Sequence, residues 1–115
     1  MMETFPLTLL DIGKLINAGT TDYANIPVAM VNDHVIRISI MTENYYWHYH
    51  PNSDETFIGI EGVLLIDLET ETIELAPGQL FTIPKSVVHR TRPMGSRSVN
   101  LTVEHGHTKT VRSES

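Results

Sequence analysis

Two histidines separated by a single residue mark the stretch of this chain whose residue types and spacing best suit chemistry. His48 and His50 precede a dense group of turn-forming residues at 51–54. On a β-strand, alternate side chains leave the same face, so both imidazoles can turn toward one ion. The turn formers predict a hairpin whose returning strand can bring a carboxylate to the same point. Asp54 and Glu55 are both candidates, because strand parity sends them to opposite faces and either face can line a barrel.

A third histidine follows a second group of turn signals. The segment 76–89 begins with a Pro-Gly turn, continues as an apolar strand, and reaches His89 after a second proline. Imidazole nitrogens and a carboxylate oxygen form a ligand set that suits divalent zinc, iron, manganese, nickel or copper. We therefore expect one divalent transition metal per chain, and the ligand types leave its identity open.

Together the two segments resemble, in order and spacing, the two sequence motifs of the cupin family. The first motif of that family has two histidines, a glutamate and a closing glycine, which match His48, His50, Glu55 and Gly62. The second has a glycine, a proline and a histidine, which match Gly78, Pro84 and His89. The resemblance implies a metal held by three histidines and one glutamate, and it favours Glu55 over Asp54. One departure is Ser86, which stands where the family has a glycine and leaves the geometry of the turn before His89 open.

The resemblance also implies an all-β fold, the double-stranded β-helix or cupin jelly-roll barrel, with which the spacing of turn signals agrees. Short apolar segments between turn formers predict eight or nine strands from residue 26 onward. One short helix is predicted within residues 8–19, packed outside the barrel, with Thr8 or Asp11 as its N-cap and Gly19 past its end. The expected organisation is an N-terminal segment at 1–25, a cupin barrel at 26–104 and a polar C-terminal tail at 105–115 that frays.

Strand parity predicts a mostly apolar cavity beside the metal. Its expected substrate-binding residues are Tyr46, Phe57, Val87 and Thr91. Such a lining suits a small organic molecule with one or two metal-coordinating oxygens. Arg37 either binds an anionic group there or is solvated or paired on a half-exposed strand. No residue is identified as a dedicated proton-transfer group, so the catalytic residues are unknown at this stage.

Aromatic residues crowd the strand that carries the histidine pair. By parity, Tyr46 faces inward with the histidines, whereas Tyr45, Trp47 and Tyr49 face outward. An outer face with so many aromatic side chains requires cover, which the N-terminal segment or a second subunit can supply. Cupin-like barrels often dimerise through their sheets, so the resemblance favours a homodimer.

Composition excludes several classes of partner. The 115 residues correspond to one domain, and their formal net charge of −6 disfavours nucleic acid and acidic membranes as partners. The absence of cysteine excludes disulfides and thiol catalysis. No apolar run approaches the roughly 20 residues of a membrane span, and Glu3 lies where a secretory peptide would be basic. We expect a cytoplasmic protein.

A second His-x-His pattern occurs at His105 and His107. It follows the last predicted strand, and apart from Glu104 no ligand with suitable spacing completes it. We expect adventitious metal affinity there at most.

Two classes of function remain open. The first is a small-molecule metalloenzyme, in which the ion polarises a substrate oxygen, as in isomerases, or supports dioxygenase-like chemistry. Both types occur among the small cupins that this sequence resembles. The alternative is a non-catalytic module that binds or senses a small ligand.

Overall fold

A short helix precedes the sheets and packs on one of them. The computed structural model describes residues 7–17 and 23–114, and helix α1 spans Ile12–Asn17. The Asp11 carboxylate accepts a hydrogen bond from the Lys14 backbone N–H (3.0 Å), so Asp11 is the N-cap, one of the two predicted candidates. Ile16 is buried against Ile38, Ile40 and Val99, which confirms the predicted packing role. The expected end at Gly19 lies outside the described residues. No helix in the described part of the chain is long and apolar enough to cross a membrane.

Strands make up about half of the described residues, which confirms the all-β prediction. The described residues form ten of them: β1 (Ala24–Val31), β2 (His34–Met41), β3 (His48–Tyr49), β4 (Glu55–Glu61), β5 (Leu64–Leu68), β6 (Thr72–Leu75), β7 (Leu80–Ile83), β8 (His89–Pro93), β9 (Ser98–His105) and β10 (Val111–Arg112). They form two five-stranded antiparallel sheets, ordered β1-β2-β9-β4-β7 and β10-β3-β8-β5-β6. This is the predicted double-stranded β-helix. Within the described strands no hydrogen-bonded pair joins the two sheets, so they form a sandwich and not a closed barrel.

The hydrophobic core fills part of the space between the sheets. Its buried members are Met41, Phe57, Leu64, Ile66, Leu75 and Ile83. Burying an aliphatic or aromatic side chain of this size contributes about 1.5–3 kcal/mol, so this cluster holds the two sheets together. Alternation along β2 divides its side chains between two environments: Ile38 and Ile40 face α1, whereas Met41 joins the core between the sheets.

Two unusual backbone conformations shape the loops around the interior. Gly62 has a φ of 66°, and a Cβ there would clash with the carbonyl oxygen of Arg97, so glycine is required. Ser86, at the position where a glycine is expected, adopts a φ of 71°. Its N–H donates to the His50 carbonyl oxygen (2.8 Å). The turn before His89 therefore forms with a serine, at the steric cost of a left-handed conformation.

The C-terminal segment is an ordered part of the fold. Val111 pairs with Tyr49 and Arg112 with His48, and the Ser113 N–H donates to the Trp47 carbonyl oxygen (2.8 Å). The expectation of a frayed tail is therefore wrong for the described residues up to 114. The physical reason is that β3 offers unpaired backbone groups along its free edge, and the tail satisfies them. The tail thus forms the edge strand of the sheet that carries the histidine pair.

Candidate metal centre

Four buried polar side chains from both sheets converge in the interior. His48 on β3 lies opposite His89 on β8, and His50 follows β3 directly. Glu55 starts β4 in the facing sheet. One ligand atom from each of the four lies within 4.8 Å of the others, and all four residues are buried. The structure thus brings together the four residues that the resemblance selects, and it leaves Asp54 exposed and outside the group.

Backbone carbonyl groups orient all three imidazoles. The Nδ1 atoms of His48, His50 and His89 lie 2.8, 3.0 and 2.9 Å from the carbonyl oxygens of Tyr46, Lys109 and Val87, in that order. A carbonyl oxygen only accepts, so each Nδ1 carries a proton, and in a neutral imidazole the Nε2 keeps its lone pair. Metal-binding histidines are typically oriented in this way by a hydrogen bond from their second nitrogen. The three Nε2 atoms are therefore prepared to act as ligands.

The position of the Glu55 carboxylate requires a cation beside it. Its Oε1 lies 3.1 Å from the His50 Nε2 and 3.4 Å from the His89 Nε2. The His89 Nε2 is buried and makes no hydrogen bond within the described part of the chain. Lone pairs on neutral imidazoles would repel the carboxylate oxygen, and either a proton or a metal ion between them removes the repulsion. A divalent ion therefore fits this donor set.

The titration of these groups follows from the same contacts. Burial opposes ionisation of Glu55, but its interactions with His50 and His89 outweigh burial and lower its pKa to about 2. Burial by itself would lower the pKa of His50, but the hydrogen bond to Glu55 outweighs burial and raises that pKa above its usual value. Burial lowers the pKa of His48 to about 4, and the neighbouring His89 adds to the effect. At neutral pH the site therefore holds a carboxylate and at least one neutral imidazole.

A polar cavity of about 120 Å³ lies beside the four residues. Besides His48, His50 and Glu55, the described lining residues include two apolar side chains, Met41 and Phe57. The other lining residues are polar: Tyr23, Asn25, Ser39, Tyr45, Thr91, Thr102, Glu104 and Thr110. The predicted mostly apolar lining is therefore wrong. The volume is well below the roughly 300–1,000 Å³ of sites for drug-sized ligands, so the cavity suits a molecule of a few non-hydrogen atoms.

Two of the four predicted substrate-binding residues line this cavity. Phe57 and Thr91 do, whereas Tyr46 and Val87 lie outside the lining and are each 37% exposed. Tyr45 lines the cavity instead, with its ring stacked on that of Tyr46 (4.3 Å between centroids). The predicted directions of the two tyrosines are thus reversed. The reason is that β3 and β8 begin only at the histidines, so strand alternation does not extend to residues 45, 46 and 87.

One wall of the cavity, formed by β1, β2 and β9, was not predicted from the sequence. It includes Thr102 and Glu104 on β9. Burial raises the pKa of the Glu104 carboxyl to about 7, with a further contribution from the charge of Glu55. Arg37 approaches Glu104 at 3.9 Å but lies outside the lining, so it is a charge partner of Glu104 and not a cavity residue.

His105 and His107 lie away from this centre and have other contacts. The Nδ1 of His105 accepts a hydrogen bond from the His107 backbone N–H (3.0 Å), which leaves its Nε2 as the protonated nitrogen. That Nε2 lies 3.3 Å from the carboxylate of Asp33 in the β1–β2 turn. Both ring nitrogens of His105 are therefore occupied, and its role is to join the segment after β9 to this turn.

Known proteins share these features. The family model described as "Cupin domain" matches residues 41–105, which contain all four converging residues. The uncharacterized protein YdbB of Bacillus subtilis (strain 168) is 49% identical over 90 residues, which cover 77% of this chain and 79% of that protein.

Solved structures agree at the level of the fold. A cupin-2 domain containing protein from Shewanella frigidimarina is similar with a TM-score of 0.79 and 24% identity, over 84% of this chain and 94% of that one. A putative mannose-6-phosphate isomerase from Ralstonia eutropha is similar with a TM-score of 0.62 and 23% identity, over 76% and 87%. The family match spans more than half of the sequence and includes both histidine motifs on a double-stranded β-helix, and so this chain belongs to the cupin family.

Proposed function

We propose that this cupin is a metal-dependent enzyme that acts on a small molecule bearing carbonyl and hydroxyl oxygens. The observation that carries the proposal is the convergence of three imidazole Nε2 atoms on a buried carboxylate at the wall of a polar cavity. Burying four such groups without a cation between them is costly. Their arrangement is therefore best explained by a bound ion.

In this proposal, His48, His50, Glu55 and His89 hold one divalent transition metal. When bound, the ion supplies Lewis-acid polarisation of a substrate oxygen. Phe57 and Met41 exclude water from one side of the cavity, and the hydroxyl of Thr91 is available to orient the substrate.

Glu104 favours isomerase-like over dioxygenase-like chemistry. Among the described lining residues it is the one carboxylate outside the proposed ligand set. Proton transfer next to a carbonyl requires a group that holds and releases a proton near neutral pH, and the pKa of about 7 suits this task.

Elemental analysis of protein purified without a histidine tag or chelator tests the metal site. We expect about one metal per chain in the wild type and its loss in the His48→Ala, His89→Ala double variant. The matched control replaces His105 and His107, which should leave metal content unchanged because those histidines lie away from the centre. Full metal retention in the double variant would refute the assignment of the ligands.

A screen of small keto, enol and hydroxy compounds separates the enzyme from the binding module. Turnover by the wild type that disappears in the His48→Ala variant supports the enzyme. Metal-dependent binding of these compounds without turnover supports the module instead.

We also propose that the protein forms a homodimer. Among the described strands, β1 is an edge strand of its sheet and exposes Ile26 (49%) and Val31 (54%), which favours pairing with a second copy. Light scattering during size-exclusion chromatography tests this, and a monomeric mass would refute it.

A further inference from the structure

Two polar atoms on one wall of the cavity lack a hydrogen-bond partner in the described part of the chain. The Oγ1 of Thr102 and the Oε2 of Glu104 are buried and make no hydrogen bond within residues 7–17 and 23–114. Thr102 is only 4% exposed, and the Glu104 side chain only 13%. An unpaired polar group in such a position costs about 1–3 kcal/mol, so these atoms are suited to a partner that enters the cavity.

Both side chains point to the same place because they alternate along one strand. Thr102 and Glu104 are two residues apart on β9 and therefore leave the same face of the sheet. Both line the cavity that also borders His48, His50 and Glu55. Thr102 pairs across the sheet with Phe57, two residues from Glu55, so the wall lies directly beside the metal centre. One small molecule can contact both.

The charges around the cavity select against an anion. The described lining residues include no lysine or arginine, and Arg37 lies outside the lining. Ionised Glu55 and Glu104 together balance the charge of a divalent ion, so no net positive charge remains to attract a carboxylate or phosphate. A carboxylate oxygen of Glu104 can only accept a hydrogen bond, which requires a donor such as a hydroxyl on the ligand.

We propose that Thr102 and Glu104 form a hydroxyl-binding subsite, and that the ligand of this cupin is a small uncharged hydroxy-carbonyl compound. The ligand hydroxyl donates to the Glu104 carboxylate and the Thr102 hydroxyl bonds a neighbouring oxygen, while the carbonyl oxygen faces the metal centre. This assignment rests on the proposed function and defines its substrate class.

Hydroxyacetone and pyruvate form a matched pair of probes, since they have similar size and two neighbouring oxygen functions. They differ at one end, where hydroxyacetone has a hydroxyl donor and pyruvate has a carboxylate. Calorimetric titration of zinc-reconstituted protein at pH 8 should show hydroxyacetone binding at least about tenfold more tightly than pyruvate, because it keeps a charge-assisted hydrogen bond and avoids like-charge repulsion.

Variants of the wall test which residues cause the preference. Glu104→Gln should weaken hydroxyacetone binding about tenfold or more and strengthen pyruvate binding, which reverses the selectivity. Thr102→Val should weaken hydroxyacetone binding without creating a preference for pyruvate. Glu74→Gln, an exposed strand residue outside the cavity, should change neither. A purely structural role of Glu104 would weaken both probes together.

The outcomes separate this proposal from the metal assignment. Equal affinity for the two probes, or equal loss of both in Glu104→Gln with zinc content unchanged, would overturn the hydroxyl subsite and leave the metal site intact. If the wild type takes up neither zinc nor any of the other four candidate ions (iron, manganese, nickel and copper), the proposed function fails. The affinity for hydroxyacetone is then compared between the metal-free wild type and the metal-free Glu104→Gln variant. Weaker binding by the variant supports the hydroxyl subsite, and equal binding overturns it.

Discussion

Replacing Glu104 with glutamine should change the pH dependence of stability in the metal-free protein. Burial is the main cause that raises the pKa of this carboxyl to about 7 from its ordinary 4.5, and the charge of Glu55 adds to it. The folded protein therefore holds the proton more tightly than the unfolded chain does. At a pH between these two pKa values, unfolding releases the proton of Glu104, so the contribution of Glu104 to stability falls as pH rises.

The size of this loss of stability follows from the difference between the pKa of Glu104 in the folded protein and its ordinary pKa. The difference is about 2.5, and each pKa unit corresponds to about 1.4 kcal/mol. Ionisation of Glu104 thus costs the wild type on the order of 3 kcal/mol above pH 7. Glutamine cannot ionise, so the variant avoids this cost. At pH 5, where Glu104 is mostly protonated, glutamine and glutamic acid should be nearly equivalent.

Urea denaturation in the presence of a chelator measures this difference, with the single tryptophan, Trp47, as the fluorescent probe. From pH 5 to pH 8, the unfolding free energy of Glu104→Gln should rise relative to wild type by about 2–3 kcal/mol. The exposed Glu74→Gln change, which lies outside the cavity, is the matched control for loss of a carboxylate. A constant difference between Glu104→Gln and wild type over the whole range would refute the claim that Glu104 is buried in a site that disfavours its charge.

Three other perturbations have defined outcomes. Removal of residues 108–115 deletes the carbonyl group that orients His50 (3.0 Å), so metal affinity, measured by competition with a chromogenic chelator, should fall about 10- to 100-fold. In urea titrations, Gly59→Ala should lower the unfolding free energy by about 1–3 kcal/mol or more, because the new Cβ meets a backbone carbonyl oxygen. The control Gly95→Ala should be close to neutral, because its Cβ meets no atom within 4 Å. Asp67→Asn should cost about 1–3 kcal/mol in thermal or urea unfolding, since it removes the negative charge beside two arginine side chains at 2.8 Å and replaces one accepting oxygen with an NH2 group. An unchanged midpoint would contradict this.

The four converging residues were predictable because their spacing carries most of the information. His48 and His50 are two apart, Glu55 follows a turn, and His89 follows a proline-bounded turn, so local rules and the family motifs identify them without tertiary information. The helix cap was predictable for the same reason, since Asp11 acts on a residue three positions away. Even so, the sequence left Asp54 as an equal candidate by parity alone.

The lining of the cavity was not predictable to the same degree. Parity applies only inside a regular strand, and β3 and β8 begin at the histidines themselves, so the directions of Tyr45, Tyr46 and Val87 depend on loop geometry. The ordered C-terminal strand was missed because it is only two residues long, Val111–Arg112, which is too short to show an alternating pattern. It forms because the edge of β3 offers hydrogen-bonding groups that lie about 60 residues away in the chain.

The sequence by itself determined the fold family, the expected ligands and the position of the short helix, because each depends on neighbours close in the chain. Only the tertiary structure decided which face of β9 is buried. Its alternating Ser98, Asn100, Thr102 and Glu104 are typical of a solvent-facing side of a strand. Packing of the two sheets turns this polar face inward, toward the metal centre. Burial depends on contacts between distant strands, and for that reason the residues that distinguish this cavity from an ordinary apolar core emerge only from the folded chain.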